Sequence, residues 1–123
     1  MNYDVMVSDE AIEDVWKLVA YVYTELHNPI ASKKLYANLK REIKNMAVLP
    51  QRNTASGLYY RGYIIYKKVY QSYIIFYIVD DIQKMVFVLR VLKDIMNWKR
   101  IVKVFQNFHF SSSSPEIRES FLD

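Results

Sequence analysis

The fold of this chain is decided by residues 59–98, which read YYRGYIIYKKVYQSYIIFYIVDDIQKMVFVLRVLKDIMNW. The stretch contains three apolar runs in which isoleucine, valine, tyrosine and phenylalanine dominate. These residue types are enriched in β-strands, and the short polar segments between the runs are typical of turns. We therefore predict three consecutive strands, at Arg61–Val69, Ser72–Val79 and Met85–Leu92.

A single arginine, Arg90, lies inside the last of these runs. A charged side chain in an apolar strand is costly unless it is paired or opens onto a polar cleft. By strict alternation, Arg90 would share a face of the strand with Val88 and Leu92. It either binds a carboxylate or phosphate of a partner, or it pairs within the chain. Three aspartates are the candidates for an internal pair: Asp80, Asp81 and Asp94.

Two amphipathic helices precede these strands. After a short first strand at Tyr3–Val7, Ser8 suits an N-cap, and the acidic residues that follow suit the first turn of a helix. Apolar residues, Trp16 among them, then recur every three or four positions through Leu26 and predict a core-facing stripe. Asn28–Pro29 begins a second helix, since asparagine caps well and proline fits the first helical position. The two helices are expected to form an antiparallel hairpin.

Residues 50–60 are rich in turn-forming residues, and we predict that they form a linker. After the last strand, apolar residues at helical spacing predict a C-terminal helix. These residues are Trp98, Ile101, Phe105 and Phe108. Both faces of the second and third predicted strands are apolar. The helical hairpin can cover one face, and the C-terminal helix or a partner is expected to cover part of the other.

Composition and charge exclude some classes of protein. The chain of 123 residues suits one domain, and the absence of cysteine excludes a disulfide scaffold and a zinc–thiolate site. There is no signal-peptide pattern and no apolar run of ~18 residues, so we expect a cytoplasmic location. Residues 49–110 carry a net charge of +7, against −1 for residues 1–48. This excess favours a polyanionic partner, although lysines that keep an apolar sheet in solution give the same pattern.

The order and spacing of these segments resemble the RelE/ParE superfamily of type II toxin–antitoxin toxins over about residues 3–102. The markers in this chain are SDEAIEDVW from Ser8, Asn28–Pro29, Leu49–Pro50, Arg61–Tyr63, YIIFY from Tyr73 and LRVLKDIMNW from Leu89. The resemblance implies an α+β fold with the order β-α-α-β-β-β-α. In it a small antiparallel β-sheet packs on an N-terminal α-helical hairpin, and a C-terminal helix follows. The toxin domain would span residues 1–110, and residues 111–123 would form a serine-rich linker and a short tail.

The resemblance also implies a function. The chain would be the basic toxin of a plasmid-stabilisation or addiction module, inhibiting growth through DNA gyrase or the ribosome. A small acidic antitoxin protein would neutralise it in a hetero-oligomeric complex. The alternatives are a ribosome-dependent mRNA endonuclease of the RelE type and a degenerate, non-toxic member that only binds an antitoxin. A plain RNA- or DNA-binding domain outside the family ranks behind these. We expect no cofactor, metal or membrane partner.

The residues of the RNase branch are incompletely present here. Lys67 can match a strand lysine of RelE-like toxins, but Ile74 stands where they carry an arginine. Asp94 stands where we align a second arginine, and Trp98 takes the region of a terminal tyrosine. An indole cannot act as a general acid in that role. Whether the chain is an enzyme therefore stays open.

The ParE-like pattern fits better, because an apolar strand is followed by Arg90–Leu92 and then by Asn97–Trp98. The weak catalytic candidates are Lys67, Arg90 and Lys93. The candidates for binding a partner or nucleic acid are Arg61, Lys67, Arg90, Lys93, Trp98, Lys99, Arg100 and Lys103. The cluster Tyr59–Arg61 either stacks on bases or packs against neighbouring strands. Residues 115–123, apolar and acidic, are hypothesised to dock on the basic domain.

Overall fold

The computed structural model of the protein describes residues 2–94 and 107–110. The strands are β1 (Asp4–Val7), β2 (Thr54–Tyr60), β3 (Tyr63–Tyr70), β4 (Tyr73–Asp80) and β5 (Met85–Lys93). The helices are α1 (Asp9–Thr24) and α2 (Pro29–Lys44), and short 3-10 turns lie at Asn45–Ala47 and Pro50–Arg52. The fold is α+β, with two N-terminal helices packed on a sheet, which confirms the predicted fold class.

Both helices begin where the capping residues predict. The Ser8 hydroxyl oxygen accepts a hydrogen bond of 2.9 Å from the backbone N–H of Ala11. The side-chain oxygen of Asn28 accepts one of 3.0 Å from the backbone N–H of Ala31, and Pro29 follows as the first helical residue. Each cap satisfies a backbone donor that the helix itself leaves without a partner.

The sheet has five strands in the order β1-β5-β4-β3-β2. Strands β2 to β5 pair antiparallel, whereas β1 pairs parallel to β5. The prediction of a purely antiparallel sheet is therefore wrong for β1. The prediction of a linker over residues 50–60 is wrong too, because β2 occupies Thr54–Tyr60. Its turn-type residues sit at a register shift between Ala55 and Leu58, where Gly57 has a φ of 86°.

A register shift in β5 overturns the expected alternation around Arg90. Phe76 lies opposite Arg90, but the next residue of β4, Tyr77, lies opposite Val88, so β5 holds one extra residue. Such a bulge reverses the faces of the residues that follow it. Val88 consequently packs with the helices, whereas Leu92 packs on the opposite side of the sheet.

The sheet separates two apolar clusters. On its helical face, α1 and α2 bury a cluster that includes Val15, Leu39 and Tyr77. On its far face, Phe76 and Leu89 are fully buried, and Phe108 and Phe110 pack against their cluster.

Two further predictions were that Trp16 faces the core and that a C-terminal helix follows the last strand. Trp16 is not a core residue, because 49% of it is exposed and it stacks on Tyr36 at the surface of the helices, with ring centroids 5.0 Å apart. The predicted C-terminal helix lies largely outside the described residues, as does the tail from residue 111. Residues 107–110 have no regular structure, so Phe108 packs on the far face from an extended or irregular segment.

Candidate functional site

The arginine that the sequence singles out is held by an aspartate of α1. Arg90 Nε donates to Asp14 Oδ2 at 2.5 Å, and Arg90 Nη2 donates to Asp14 Oδ1 at 2.8 Å. This is the two-point geometry in which a guanidinium and a carboxylate bind most strongly. Of the two alternatives for Arg90, the structure shows the internal pair, but the partner is Asp14 and not one of the three aspartates named for it. Asp14 is signalled by its position between Ala11 and Val15, where helical spacing places it on the buried side of α1.

The start of α1 also completes the hydrogen bonds of β5. Pairing with β1 ends where Val7 lies opposite Val88, so the next polar groups of β5 need other partners. The hydroxyl of Ser8 donates to the carbonyl oxygen of Leu89 at 2.7 Å. The backbone N–H of Val91 donates to Asp14 Oδ2 at 3.0 Å. The side chains of Ser8 and Asp14 thus make the hydrogen bonds to β5 that a neighbouring strand would otherwise make.

The electrostatics of Asp14 reflect its burial. Only 9% of Asp14 is exposed. Burial raises the pKa of its carboxyl above the ordinary value, while the hydrogen bonds from Arg90 and Val91 oppose that rise. The carboxylate is therefore costly to bury, and the hydrogen bonds from Arg90 and the Val91 amide offset part of that cost.

Lys67 and Arg90 lie on one row of the sheet. Lys67 is opposite Phe76 on β3 and β4, and Phe76 is opposite Arg90 on β4 and β5. Strands are about 4.8 Å apart, so the two Cα atoms are about 10 Å apart, with the buried Phe76 ring between them. Ile74, where the family resemblance implied an arginine, is 4% exposed in the far-face cluster. The row thus offers cations only at its two ends.

Lys93 is separated from that row. It lies opposite Tyr73, which belongs to the cluster on the helical face, whereas Lys67 lies opposite a far-face residue. Its Nζ atom is 5.7 Å from the centre of the Tyr21 ring on α1. The structure therefore does not join Lys93 to Lys67 in one site.

Arg61 lies in the two-residue turn between β2 and β3. Positive φ angles of 49° at Arg61 and 84° at Gly62 are those of a tight hairpin turn that favours glycine. The guanidinium lies 5.2 Å from the centre of the Tyr60 ring, and Nη2 donates to Asn107 Oδ1 at 3.0 Å. The remaining predicted binding residues lie outside the described part of the chain: Trp98, Lys99, Arg100 and Lys103.

A C-terminal strap, residues 107–110, is a feature that the sequence did not reveal. The backbone N–H of Asp9 donates to the carbonyl oxygen of His109 at 2.7 Å. The backbone N–H of His109 donates to Glu10 Oε1 at 2.9 Å, and its Nδ1 lies 2.8 Å from Glu10 Oε2. The hydrogen bond and the charge of Glu10 raise the pKa of His109. Burial works against the charged form of Glu10, but the hydrogen bonds from His109 outweigh it and lower the pKa of that carboxyl.

Comparison with solved structures identifies proteins that share this fold. Among the solved structures that share the fold, two are each 22% identical to this chain. One is the RelBE2 toxin–antitoxin complex from Mycobacterium tuberculosis, with a TM-score of 0.53, covering 76% of this chain and 92% of the other. The second is a mutant of the Escherichia coli toxin RelE in the free state, with a TM-score of 0.55, covering 85% of this chain and 99% of the other.

Sequence comparison gives the family. No curated protein matches the chain. The family described as the ParE toxin of the type II toxin–antitoxin system parDE matches residues 5–98, which include both helices, strands β2 to β5 and all of β1 except Asp4. The chain therefore belongs to the ParE toxin family of type II toxin–antitoxin systems.

Proposed function

We propose that this toxin stops growth by binding DNA gyrase, not by cutting mRNA, and that a cognate antitoxin neutralises it. The observation that carries the proposal is the two-point pair between Arg90 and Asp14. The pair commits the arginine of β5 to holding α1 against the sheet. A guanidinium bound in this way is already compensated by a carboxylate, which weakens its attraction for a phosphate.

The chemistry of RNA cleavage supports the same reading. Attack of a 2′-hydroxyl on the adjacent phosphate needs a base, cationic groups for the developing charge and an acid for the leaving oxygen. In the row through Phe76, the groups with ionisable side chains are Lys67 and the paired Arg90. Two such groups do not supply three roles, and Ile74 adds none. A toxin with this surface acts through binding.

The antitoxin is proposed to be an acidic protein that meets the cationic half of the chain. Residues 49–110 carry a net charge of +7, which attracts a negatively charged segment. A structural neighbour of this chain was solved as a toxin–antitoxin complex, which supports a partner of this kind. We place the complex in the cytoplasm. Within the described residues, no helix is long and apolar enough to cross a membrane.

The test is induction of the chain in a bacterium that lacks the antitoxin, with pulse-labelled protein synthesis and a DNA-damage reporter read within minutes. We expect growth to stop and the reporter to rise while labelling continues, and purified gyrase to lose supercoiling activity. A rapid collapse of labelling would instead place the target on the ribosome. Normal growth with continued labelling would identify a non-toxic member that only binds an antitoxin.

A further inference from the structure

A small cavity opens on the far face beside the turn between β2 and β3. Its volume is about 250 Å³. It is lined by the aromatic residues Tyr60, Tyr63, Phe87, Phe108 and Phe110, with Ile78 and Arg61. Sites for drug-sized ligands measure roughly 300–1,000 Å³, so this cavity suits a single ring system better than an extended ligand.

The rings stand at right angles to one another. Phe108 meets Tyr60 edge to face, with centroids 5.0 Å apart and planes at 77°. Phe110 meets Phe87 in the same way, at 5.2 Å and 73°. This arrangement forms corners in which an inserted flat ring can stack on one wall and meet the edge of another. The walls therefore favour a planar aromatic ligand over a branched aliphatic one.

The polar groups at the cavity are few and already engaged. The Tyr60 hydroxyl accepts a hydrogen bond of 3.3 Å from the backbone N–H of Phe108. The Tyr63 hydroxyl lies 3.4 Å from Asp80 Oδ2. The cavity thus presents ring faces more than hydrogen-bonding edges, which is the character of a stacking site without sequence preference.

Arg61 supplies the charge at this site. Its guanidinium hydrogen-bonds the neutral amide of Asn107, and no carboxylate among residues 2–94 and 107–110 forms an ion pair with it. This distinguishes it from Arg90, whose charge is compensated by Asp14. A guanidinium that no carboxylate of the described residues pairs with, next to aromatic walls, suits an anion that is attached to a flat ring.

We propose that this cavity binds a nucleobase of single-stranded nucleic acid, with the adjacent phosphate at Arg61. The ligand class unites the two features of the site, since a nucleotide carries a planar ring and a phosphate at short, fixed separation. An acidic peptide that binds as an added strand is disfavoured, because that mode of docking relies on main-chain hydrogen bonds. The lining offers little for such bonds. The site is separate from the proposed action on gyrase, and either can hold without the other.

The test is an NMR titration of the full chain with five probes: AMP, ribose 5-phosphate, an acetylated Asp–Phe dipeptide amide, and matched eight-nucleotide strands of DNA and of RNA. AMP is expected to shift the aromatic resonances of the lining residues and to bind at least tenfold more tightly than ribose 5-phosphate. The oligonucleotides are expected to bind more tightly still, and their ratio identifies DNA or RNA as the preferred source. Added salt should weaken the binding of each ligand that carries a phosphate.

Variants locate the effect. Arg61→Gln is expected to weaken AMP binding three- to tenfold and to reduce its salt dependence, and Tyr63→Ala to weaken it through lost stacking. The matched controls are Tyr23→Ala and Lys33→Gln, an exposed tyrosine on α1 outside the lining and an exposed cation on α2. Both controls are expected to bind AMP normally. The proposal is overturned if the dipeptide binds more tightly than AMP, if AMP shifts no lining resonance, or if Arg61→Gln binds AMP like the unsubstituted chain.

Discussion

The two faces of the sheet are covered in different ways. On the helical face, α1 is fixed to β5 by side chains that are themselves buried, above all Ser8 and Asp14. On the far face, the strap 107–110 is fixed to α1 through Glu10 and through His109, whose side chain is 71% exposed. Buried polar contacts are strong and costly to break, whereas exposed ones are weak. The contacts that hold α1 on the helical face are thus expected to persist. The strap on the far face is held more weakly, so a ligand could displace it more easily.

The largest effect is expected from Asp14→Ala. This change leaves Arg90 and the backbone N–H of Val91 without their carboxylate, and removing one partner of a buried ion pair costs about 3 kcal/mol. Urea unfolding measures the loss. Glu13→Ala is the control, because Glu13 pairs with Lys17 at the surface of the same helix, and we expect a change within about 0.5 kcal/mol.

The same site admits a second, sharper measurement. In Asp14→Ala combined with Arg90→Met, the guanidinium that lost its carboxylate is removed as well, so stability is expected to recover in part over Asp14→Ala alone. Equal stability of the single variants Asp14→Ala and Glu13→Ala would show that the pair does not hold the helical face together.

A smaller effect is expected from Tyr77→Phe, also on the helical face. The Tyr77 hydroxyl donates to the carbonyl oxygen of Pro50 and accepts from Asn53 Nδ2 at 2.9 Å, so it anchors the turn before β2. Its loss leaves a buried acceptor unsatisfied, at about 1–2 kcal/mol by denaturant unfolding.

The pH dependence of stability, measured for the unsubstituted chain and for Tyr77→Phe, supplies the control for that substitution. Burial raises the pKa of Tyr77 to about 12, above that of an unfolded tyrosine near 10. The folded state therefore keeps a proton that the unfolded state loses, and stability falls as pH rises from about 10 to 12. Tyr77→Phe should flatten this part of the stability profile. An unchanged slope would mean that another group titrates there.

The sequence predicted the helices better than the sheet, and the reasons are physical. Ser8 and Asn28 mark helix starts because their side chains replace missing backbone partners locally. Strand β2 was missed because Ser56 and Gly57, which usually favour turns, lie at a bulge that accommodates them. The local sequence does not indicate that bulge, because it depends on pairing with a neighbouring strand.

The candidate site was predicted only in part for a similar reason. Arg90 stands out because it interrupts an apolar run, but its partner lies 76 residues earlier in the chain. Asp14 resembles the solvated carboxylates found on most amphipathic helices, and its burial follows from the packing of α1 on β5. Sequence spacing reveals which residue types need a partner, whereas the partner itself is set by the tertiary fold.

A still smaller effect is expected on the far face from Phe108→Ala. Phe108 is half-buried against Tyr60, so its truncation should release the strap without unfolding the sheet. Hydrogen exchange at the backbone N–H of His109 is expected to accelerate more than tenfold, while exchange at Val91 stays unchanged. If exchange at the backbone N–H of Val91 accelerates equally, the two faces of the sheet open as one unit, and the far face is not the less stable of the two.

The weakest expected effect is the pH response of the strap. The contact with Glu10 raises the folded pKa of His109 above its unfolded value of about 6.5. A raised histidine pKa means that the contribution of the contact is fully present below about pH 6.5 and is lost as pH rises through the folded pKa. Glu10 has a lowered pKa, so its share is lost only in acid, as pH falls through its folded value.

An NMR titration of the His109 ring gives the folded pKa directly, and Glu10→Gln should return it towards 6.5. Because the side chain is largely exposed, salt should produce a similar return, whereas the hydrogen bond from Val91 to Asp14 on the helical face should be insensitive to both. If Glu10→Gln leaves the His109 pKa unchanged, the imidazole does not help to hold the strap, which then depends on the backbone hydrogen bond from Asp9 and on the packing of Phe108 and Phe110.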